Sequence, residues 1–327
     1  MPGAFAHLTI VDILAGDANR LETITTLTPT MKHALGFYTN FCELGAVSPD
    51  YPYLTALHPS AMAWANMMHY YQTADFIRRG IRHLCENFAD LTAPDAEPCL
   101  AWLFGYTTHV VADLTVHPVI AIKVGAYEQH KTEHRVCELD QDVYIVKTRY
   151  HDEIGTPEHS LETGIASCSD TNDPKRLHPS VAALWRQILN DIDLTKAHLK
   201  DDLPAPTTPP DPDEWHRWYV EIIGTIEHGR DLPPLSRHFA EHEGIAYPPY
   251  NEVNRDYIDP LTTPRGDNTT YDPVFDEALK NITASWEELG AALTANDPSR
   301  FTLPNGDLDT GRQDTGLQDP PMVFWRT

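Results

Sequence analysis

The sequence predicts an all-α fold, and three observations support this prediction. Apolar residues recur at helical spacing in several long segments, which begin near proline or serine and end near glycine or proline. We find no convincing strand pattern, no internal repeat and no glycine-rich phosphate loop. The composition of the 327 residues shows no sharp break along the chain, so we expect one multi-helix domain with a large core.

The predicted helices occupy most of the chain. Helical periodicity predicts them over residues 4–14, 31–44, 60–86, 98–118, 126–148, 178–200, 213–229 and 272–295. Pro118 should end the central helix, because proline cannot donate a helical hydrogen bond. A polar excursion over 150–177 and a proline-rich connector over 201–214 should be irregular. The expected organisation is a ligand-bearing half over 2–143, a helical remainder with polar loops over 144–299 and an irregular tail over 300–327.

The segment from Pro98 to Pro118, PCLAWLFGYTTHVVADLTVHP, carries three residues of metal-ligand type. His109, Asp113 and His117 recur every four residues, which aligns them along one face of a helix with about 3.6 residues per turn. The other residues are mostly apolar, so this face should be buried. One buried histidine is commonly satisfied by the backbone, but three such side chains are hard to satisfy without a cation. The pattern therefore indicates a buried metal site.

A second candidate pair lies on the next predicted helix. His134 and Glu138 are four residues apart and can bind one cation together, and the carboxylate would also neutralise charge. His130 and His134 have the same spacing, but we prefer the pair that includes the carboxylate. His238 and His242 form a competing pair, although their polar neighbours favour a solvated helix face.

Three further residues are candidates because of their surroundings. His7 lies in a short apolar helix, and His69 lies in the apolar first half of the helix predicted over 60–86. Asp50 stands in the loop GAVSPDYPY, where neighbouring prolines would hold its carboxylate in place; an ordinary turn aspartate is the alternative. His83 lies among charges near a helix end, which favours a surface position.

Composition restricts the classes of function. The formal charge is −24, from 48 acidic and 24 basic residues, so the general field repels polyanions and disfavours nucleic acid as a partner. A local anion site built on metal is compatible with that charge. No apolar run is long enough to span a bilayer, and the start MPGAFAHL shows no secretory pattern. The five cysteines lack CxxC spacing, which is typical of reduced thiols, so we expect a cytoplasmic protein.

The ordered set of candidates resembles the zinc-dependent phospholipase C family. That family also includes fungal single-strand nucleases and the catalytic domain of glycosylphosphatidylinositol-specific phospholipase D, whose motifs are the most similar. Its central motif resembles FGYTTHVVADLTVH, from Phe104 to His117, and its second ligand helix resembles EHRVCELDQDV, from Glu133 to Val143. The resemblance spans Pro2 to Val143, and beyond it the chain is only a loosely similar helical remainder.

The resemblance implies a helical fold that holds three zinc ions. The implied ligands are His69, His109 and Asp113 for one zinc, His117, His134 and Glu138 for a second, and His7, the bridging Asp113 and Pro2 for the third. The family completes the third site with the amine and carbonyl of the mature first residue. Pro2 precedes His7 by the family's five positions, and proline after Met1 permits removal of that methionine. Asp50 matches the family's acidic residue that orients water or binds metal.

The implied activity is that of a zinc-dependent hydrolase of phosphodiesters. We expect it to cleave phospholipid or glycolipid head groups with a metal-activated water, through transient contact with a membrane surface. Cleavage on either side of the phosphate, type C or type D, stays open. One alternative is a single-strand nuclease, in which Tyr51, Tyr53 and Trp64 could stack on bases. Another is a non-catalytic binding protein with a closed metal cluster.

Overall fold

The computed structural model describes residues 3–55, 58–88, 91, 93–150, 154, 164–194, 203–223, 247–315 and 317–326. Eleven α-helices lie in this part of the chain: α1 (Ala4–Ala15), α2 (Ala18–Thr23), α3 (Pro29–Phe37), α4 (Thr39–Val47), α5 (Pro59–Tyr70), α6 (Thr73–Asn87), α7 (Ala96–Val124), α8 (Lys131–Tyr150), α9 (Pro179–Asn190), α10 (Pro212–Ile223) and α11 (Tyr271–Ala295). Three short antiparallel hairpins accompany them: β1 (Ser169–Asp170) with β2 (Asp173–Leu177), β3 (Leu261–Thr262) with β4 (Asn268–Thr269), and β5 (Gly306–Asp307) with β6 (Arg312–Gln313). The prediction of an all-α fold is confirmed.

Helix α7 lies at the centre of the molecule. Its 29 residues contact α1, α3, α4, α6, α8, α9 and α11. All residues from Pro98 to Ile120 are buried, so the face that carries the predicted ligands is enclosed by other helices. The surrounding helices bury their apolar faces against α7, and this burial is the main driving force for folding. The resulting hydrophobic core extends from Ala4 to Trp325.

Helix α7 continues past Pro118 to Val124, so the predicted end at Pro118 is wrong. The proline removes one backbone donor, which leaves the carbonyl of Leu114 without its helical partner. Val119 and Ile120, immediately after it, are almost completely buried. Their burial offsets the lost hydrogen bond and keeps the chain helical.

The single helix predicted over 60–86 is two helices, α5 and α6. The chain turns at Gln72, whose φ of 52° lies in the left-handed region, so the helical path cannot continue through it. The side-chain oxygen of Asn305 then accepts hydrogen bonds from the backbone N–H groups of Ala74 and Asp75. A residue from the predicted irregular tail therefore caps α6.

Other helix limits also differ from the prediction. The segment 31–44 is divided between α3 and α4 at Tyr38, and α4 continues through Gly45 to Val47. Helix α8 begins only at Lys131, after a short 3-10 helix over Tyr127–Gln129. Helix α9 ends at Asn190, and the tail beyond residue 300 contains the hairpin of β5 and β6. The last long helix, α11, matches its prediction closely.

Candidate metal centre

Helix α1 presents His7 to the centre from a fixed position. Asp142 of α8 accepts hydrogen bonds from the backbone N–H groups of Phe5 (3.2 Å) and Ala6 (2.8 Å), in the first turn of α1. Burial raises the pKa of Asp142 to about 8, although these bonds and one from Tyr247 favour its ionised form. This cap connects α1 to α8 and thereby fixes His7, which is fully buried.

Asp113 of α7 is the meeting point of two histidines. Its Oδ1 lies 3.2 Å from Nε2 of His7, and its Oδ2 lies 3.3 Å from Nε2 of His109. All three side chains are completely buried. Neither contact has hydrogen-bond geometry, and in the described structure none of these four atoms has another hydrogen-bond partner. Four buried polar atoms thus face one another without the bonds that normally satisfy them.

Two glycines let α4 and α7 approach closely beside this cluster. A Cβ atom on Gly105 would lie 1.9 Å from a carbonyl oxygen of α4, and one on Gly45 would lie 2.1 Å from a carbonyl oxygen of α7. The close approach brings the carbonyl oxygen of Ala46 to 2.8 Å from Nδ1 of His109. A carbonyl only accepts, so Nδ1 carries a proton, and in the neutral form of the ring Nε2 has the lone pair that faces Asp113.

His69 and Asp50 form the adjacent part of the centre. His69 lies near the end of α5, and Asp50 lies in a 3-10 helix over Ser48–Thr55. Nε2 of His69 is 3.3 Å from Oδ1 of Asp50, and both side chains are buried. Nδ1 of His69 donates to the carbonyl oxygen of Ala65 at 2.7 Å. His69 therefore has the same orientation as His109, with Nε2 directed at the carboxylates.

The residues fit a divalent cation. Within the described chain, two groups bring one ligand atom per residue within 4.8 Å of one another: His7, His109 and Asp113, and Asp50, His69 and His109. Tetrahedral zinc with bonds of about 2.0–2.2 Å separates neighbouring ligand atoms by about 3.4 Å. The three histidine–carboxylate distances of 3.2, 3.3 and 3.3 Å agree with that separation.

The electrostatics of the cluster also favour a bound cation. Burial and the nearby His109 lower the pKa of His7, which favours the neutral form that binds metal. Burial opposes ionisation of Asp113, but His109 and His7 hold the pKa of its carboxyl well below the usual range. Burial also opposes the charged form of His109, but the attraction of Asp113 is stronger than this effect, so the pKa of His109 is raised. An ionised carboxylate at this depth requires positive charge, from a proton or a metal ion.

His117, His134 and Glu138 lie further along α7 and α8. The rings of His117 and His134 stack with centroids 6.2 Å apart and an interplanar angle of 26°. Nε2 of His134 donates to the carbonyl oxygen of Gly125 at 2.7 Å, and all three predicted ligands are buried. They do not form a third group within 4.8 Å in the described chain. Their role as a second zinc site therefore stays a prediction.

One acidic residue at this end of the centre was not among the candidates from the sequence. Asp309, between β5 and β6, is buried, and its Oδ1 lies 4.0 Å from Nδ1 of His117. Its Oδ2 accepts a hydrogen bond of 2.8 Å from the hydroxyl of Tyr70. No local pattern in the sequence indicates this contact, because it depends on how the C-terminal hairpin packs.

Among the remaining candidates, the structure describes only His130 and His83, and neither belongs to the centre. Pro2, His238 and His242 fall outside the described residues. His130 is 41% exposed and faces Glu133 rather than the centre. His83 pairs with Asp191, at 2.7 Å.

Fold and site together define a helical protein with a buried cluster of histidines and carboxylates that could hold a metal ion. The sequence model of the family described as zinc dependent phospholipase C matches residues 6–194, which is more than half of the chain. The chain belongs to this family. No curated protein and no solved structure matches it. Among the described residues, no helix has the length and apolar character needed to cross a membrane.

Proposed function

We propose that the protein is a zinc-dependent phosphodiesterase that hydrolyses the head groups of phospholipids or glycolipids. The observation that carries this proposal is the set of three buried histidine–carboxylate contacts at 3.2–3.3 Å, which match the spacing of ligands around zinc. We propose three zinc ions per chain, held by His69, His109 and Asp113; by His117, His134 and Glu138; and by His7, Asp113 and Pro2.

Four residues of the centre, Asp113, His69, His109 and Asp50, have defined tasks in the proposed reaction. Zinc, when bound, supplies a water of lowered pKa and stabilises negative charge on the phosphate. Asp113 holds two histidines in one arrangement, and the backbone acceptors of His69 and His109 keep Nε2 of each directed inward. Asp50 accepts a proton from the attacking water. The water oxygen then bonds to phosphorus as the bond to the leaving oxygen breaks, and the leaving oxygen takes a proton from solvent.

A pocket beside His117 supports a lipid as substrate. It has a volume of about 410 Å³, and Asp309 forms part of its wall. Most of its other lining residues are apolar, and they include Ile122, which is 49% exposed, and Met322. Arg312 also lines the pocket, but its guanidinium group pairs with Asp319 at 2.6 Å, and Glu128 adds a second carboxylate to the wall. The pocket therefore offers apolar surface for the acyl part of a lipid next to the proposed centre, and the positive charge for the phosphate must come from the metal.

Elemental analysis and parallel assays test the proposal. The purified protein should contain zinc and should release either the phosphorylated head group or the free head group from phosphatidylcholine vesicles. Chelation should remove the zinc and abolish the release. The same preparation should leave single-stranded DNA intact, because the net charge of −24 repels a polyanion. Cleavage of DNA without cleavage of lipid would indicate a nuclease instead. Full zinc content without turnover on either substrate would favour a closed, non-catalytic metal cluster.

Chelation also tests whether the metal lies in the core. Metal bound only by the native state stabilises that state by linkage, so removal should lower the melting temperature substantially. A melting curve unchanged by confirmed metal removal would place the metal outside this cluster.

A further inference from the structure

We infer that His216 of α10 is a positioning residue of the centre, which holds Asp50 in place through a hydrogen bond with Tyr51. This inference rests on the proposed role of Asp50 as the base. The ring of His216 is completely buried, and its Nδ1 lies 3.2 Å from the hydroxyl oxygen of Tyr51, the residue that follows Asp50. His216 lies outside residues 6–194, which match the family, and it was not among the candidates from the sequence.

The 3-10 helix over Ser48–Thr55 needs support from its surroundings. It contains eight residues, whereas runs longer than about three or four are uncommon because their hydrogen bonds have poor geometry. With three residues per turn, the side chains of consecutive residues point about 120° apart. Asp50 therefore faces His69 on one side of the helix, and Tyr51 faces α10 on another. A fixed Tyr51 sets the rotation of the helix and thereby the direction of the Asp50 carboxylate.

Aromatic packing holds the ring of Tyr51. It stacks on Tyr219, three residues after His216 on α10, with centroids 5.3 Å apart and an interplanar angle of 23°. The ring of His216 lies at 6.1 Å and 26°, and the ring of Trp185 on α9 lies at 6.2 Å. Tyr51 is only 1% exposed, so its hydroxyl depends on a partner within the protein.

The hydrogen bonds of His216 have a defined direction. Its Nε2 lies 2.9 Å from the hydroxyl oxygen of Ser169 in β1, and that hydroxyl lies 2.7 and 2.9 Å from the carbonyl oxygens of Ala166 and Pro174. Because the Ser169 proton is directed at carbonyls, its oxygen accepts from Nε2–H, and Nδ1 accepts from the hydroxyl of Tyr51. Burial lowers the pKa of His216 to about 4, so the ring is neutral near pH 7 and Nδ1 keeps its lone pair.

The hairpin of β1 and β2 connects the far end of these hydrogen bonds to α4. The side-chain amide of Asn40, on α4, donates to the hydroxyl of Ser167 at 2.9 Å. The thiol of Cys168 donates to the carbonyl oxygen of Asn40 at 3.2 Å. Helix α4 in turn leads directly into the 3-10 helix that carries Asp50. The hydrogen bonds of His216 therefore close a loop between the first turn of α4 and the segment that follows α4.

Hydrogen–deuterium exchange of the full-length, metal-free protein tests whether His216 holds the 3-10 helix. Tyr51→Phe removes the hydroxyl and keeps the ring, and His216→Phe removes the acceptor. Both should speed amide exchange over residues 48–55 by about 10-fold, the effect of one lost hydrogen bond. His216→Asn should exchange like the wild type, because its amide oxygen can accept from Tyr51 near the position of Nδ1. Tyr144→Phe, which loses a hydrogen bond to Asp272 on α11, is the matched control and should not change this segment.

Turnover of the zinc-loaded protein tests whether the effect reaches Asp50. Tyr51→Phe and His216→Phe should each lower kcat by about 10- to 100-fold with little change in KM or zinc content, because a base displaced by about 1 Å loses that much. The double variant should be no slower than either single variant, since both remove the same hydrogen bond. His216→Asn should keep most of the kcat. In an Asp50→Asn background, Tyr51→Phe should cause no further loss, because the base that it positions is already absent.

Other outcomes overturn the inference in distinguishable ways. Wild-type exchange or wild-type kcat in Tyr51→Phe would show that this hydrogen bond does not position Asp50. A further loss of kcat in the Asp50→Asn background would show that Tyr51 supports the centre as a whole. Normal turnover in Asp50→Asn alone would overturn the base on which the inference rests, and absence of turnover in the wild type would overturn the proposed function as well. If His216→Phe does not fold, Tyr51→Phe decides, because it keeps the ring and its packing.

Discussion

The rings of His7 and His109 stack in parallel, with centroids 4.4 Å apart and planes only 12° from each other. This geometry directs both Nε2 atoms at the two oxygens of one carboxylate, Asp113. Two protonated rings at this separation would repel each other, so the arrangement favours a neutral ring with a lone pair. Helices α1 and α7 therefore meet at one carboxylate, and we propose that this carboxylate bridges two cations.

Replacing Asp113 with Asn should remove more than one zinc per chain and abolish activity. The amide keeps the shape of the side chain but loses the charge and one of the two oxygens that face histidines. Zinc per chain, measured by mass spectrometry on the purified variant, is the direct readout. Asp276→Asn, at a carboxylate 58% exposed on α11, serves as the control and should keep the full zinc content. Loss of one zinc or none in Asp113→Asn would remove Asp113 from the bridging position.

The parts of this centre that follow from local sequence were predictable. Helix geometry alone places His109 and Asp113 on one face, and the structure brings them together. His7 and Asp50 have no such spacing; their surroundings made them candidates, and the family resemblance assigned them to the same centre. It was also the resemblance that placed His69 beside His109, and the two belong to one group in the structure.

The parts that escaped prediction depend on contacts between distant segments. Helix α7 continues past Pro118 because the residues that follow it are buried. Helices α5 and α6 are separated at Gln72, and Asn305 from the C-terminal segment caps α6. Asp309 lies in a short turn without periodicity, so only the packing of Gly311 on α7 brings it to the centre. Periodicity describes which face of an element is apolar, but it does not describe where a hairpin packs.

Replacing Asp50 with Asn should reduce turnover far more than zinc content. A positioned base typically contributes about 10²- to 10⁴-fold in rate, and a similar loss of kcat is expected here. Zinc content should stay near that of the wild type, because His69 and His109 remain. Normal turnover with all zinc bound would make Asp50 an ordinary turn residue. Loss of one zinc would instead make it a ligand, as its 3.3 Å contact with His69 allows.

Replacing Gly105 with Ala should destabilise the protein by about 3 kcal/mol or more, because the added methyl group would collide with the backbone of α4. The two helices must then separate, which moves the carbonyl of Ala46 away from His109 and should also weaken zinc binding. Urea unfolding and zinc titration measure the two effects. Gly36→Ala is the control: no atom lies within 4 Å of the added methyl group, so it should be neutral or stabilise α3 by up to about 1 kcal/mol. A Gly105→Ala variant as stable as the wild type would show that the crossing tolerates a side chain.

Glu43 of α4 should make stability fall as pH rises through a defined window. Burial, with a smaller effect of Asp12, raises the pKa of Glu43 to about 7, whereas an unfolded glutamate titrates near about 4.3. The folded protein therefore binds this proton more tightly, so the stabilisation present below about pH 4.3 is lost as pH rises to about 7.

Glu43→Gln removes this dependence and should be more stable than the wild type at pH 8, by about 1–3 kcal/mol, with little difference near pH 4.5. Urea unfolding of both proteins at the two pH values measures the effect, and Glu86→Gln, at a side chain 60% exposed, is the control. A difference that is equal at both pH values, or that favours the wild type at pH 8, would show that the Glu43 carboxyl ionises without cost in the folded protein.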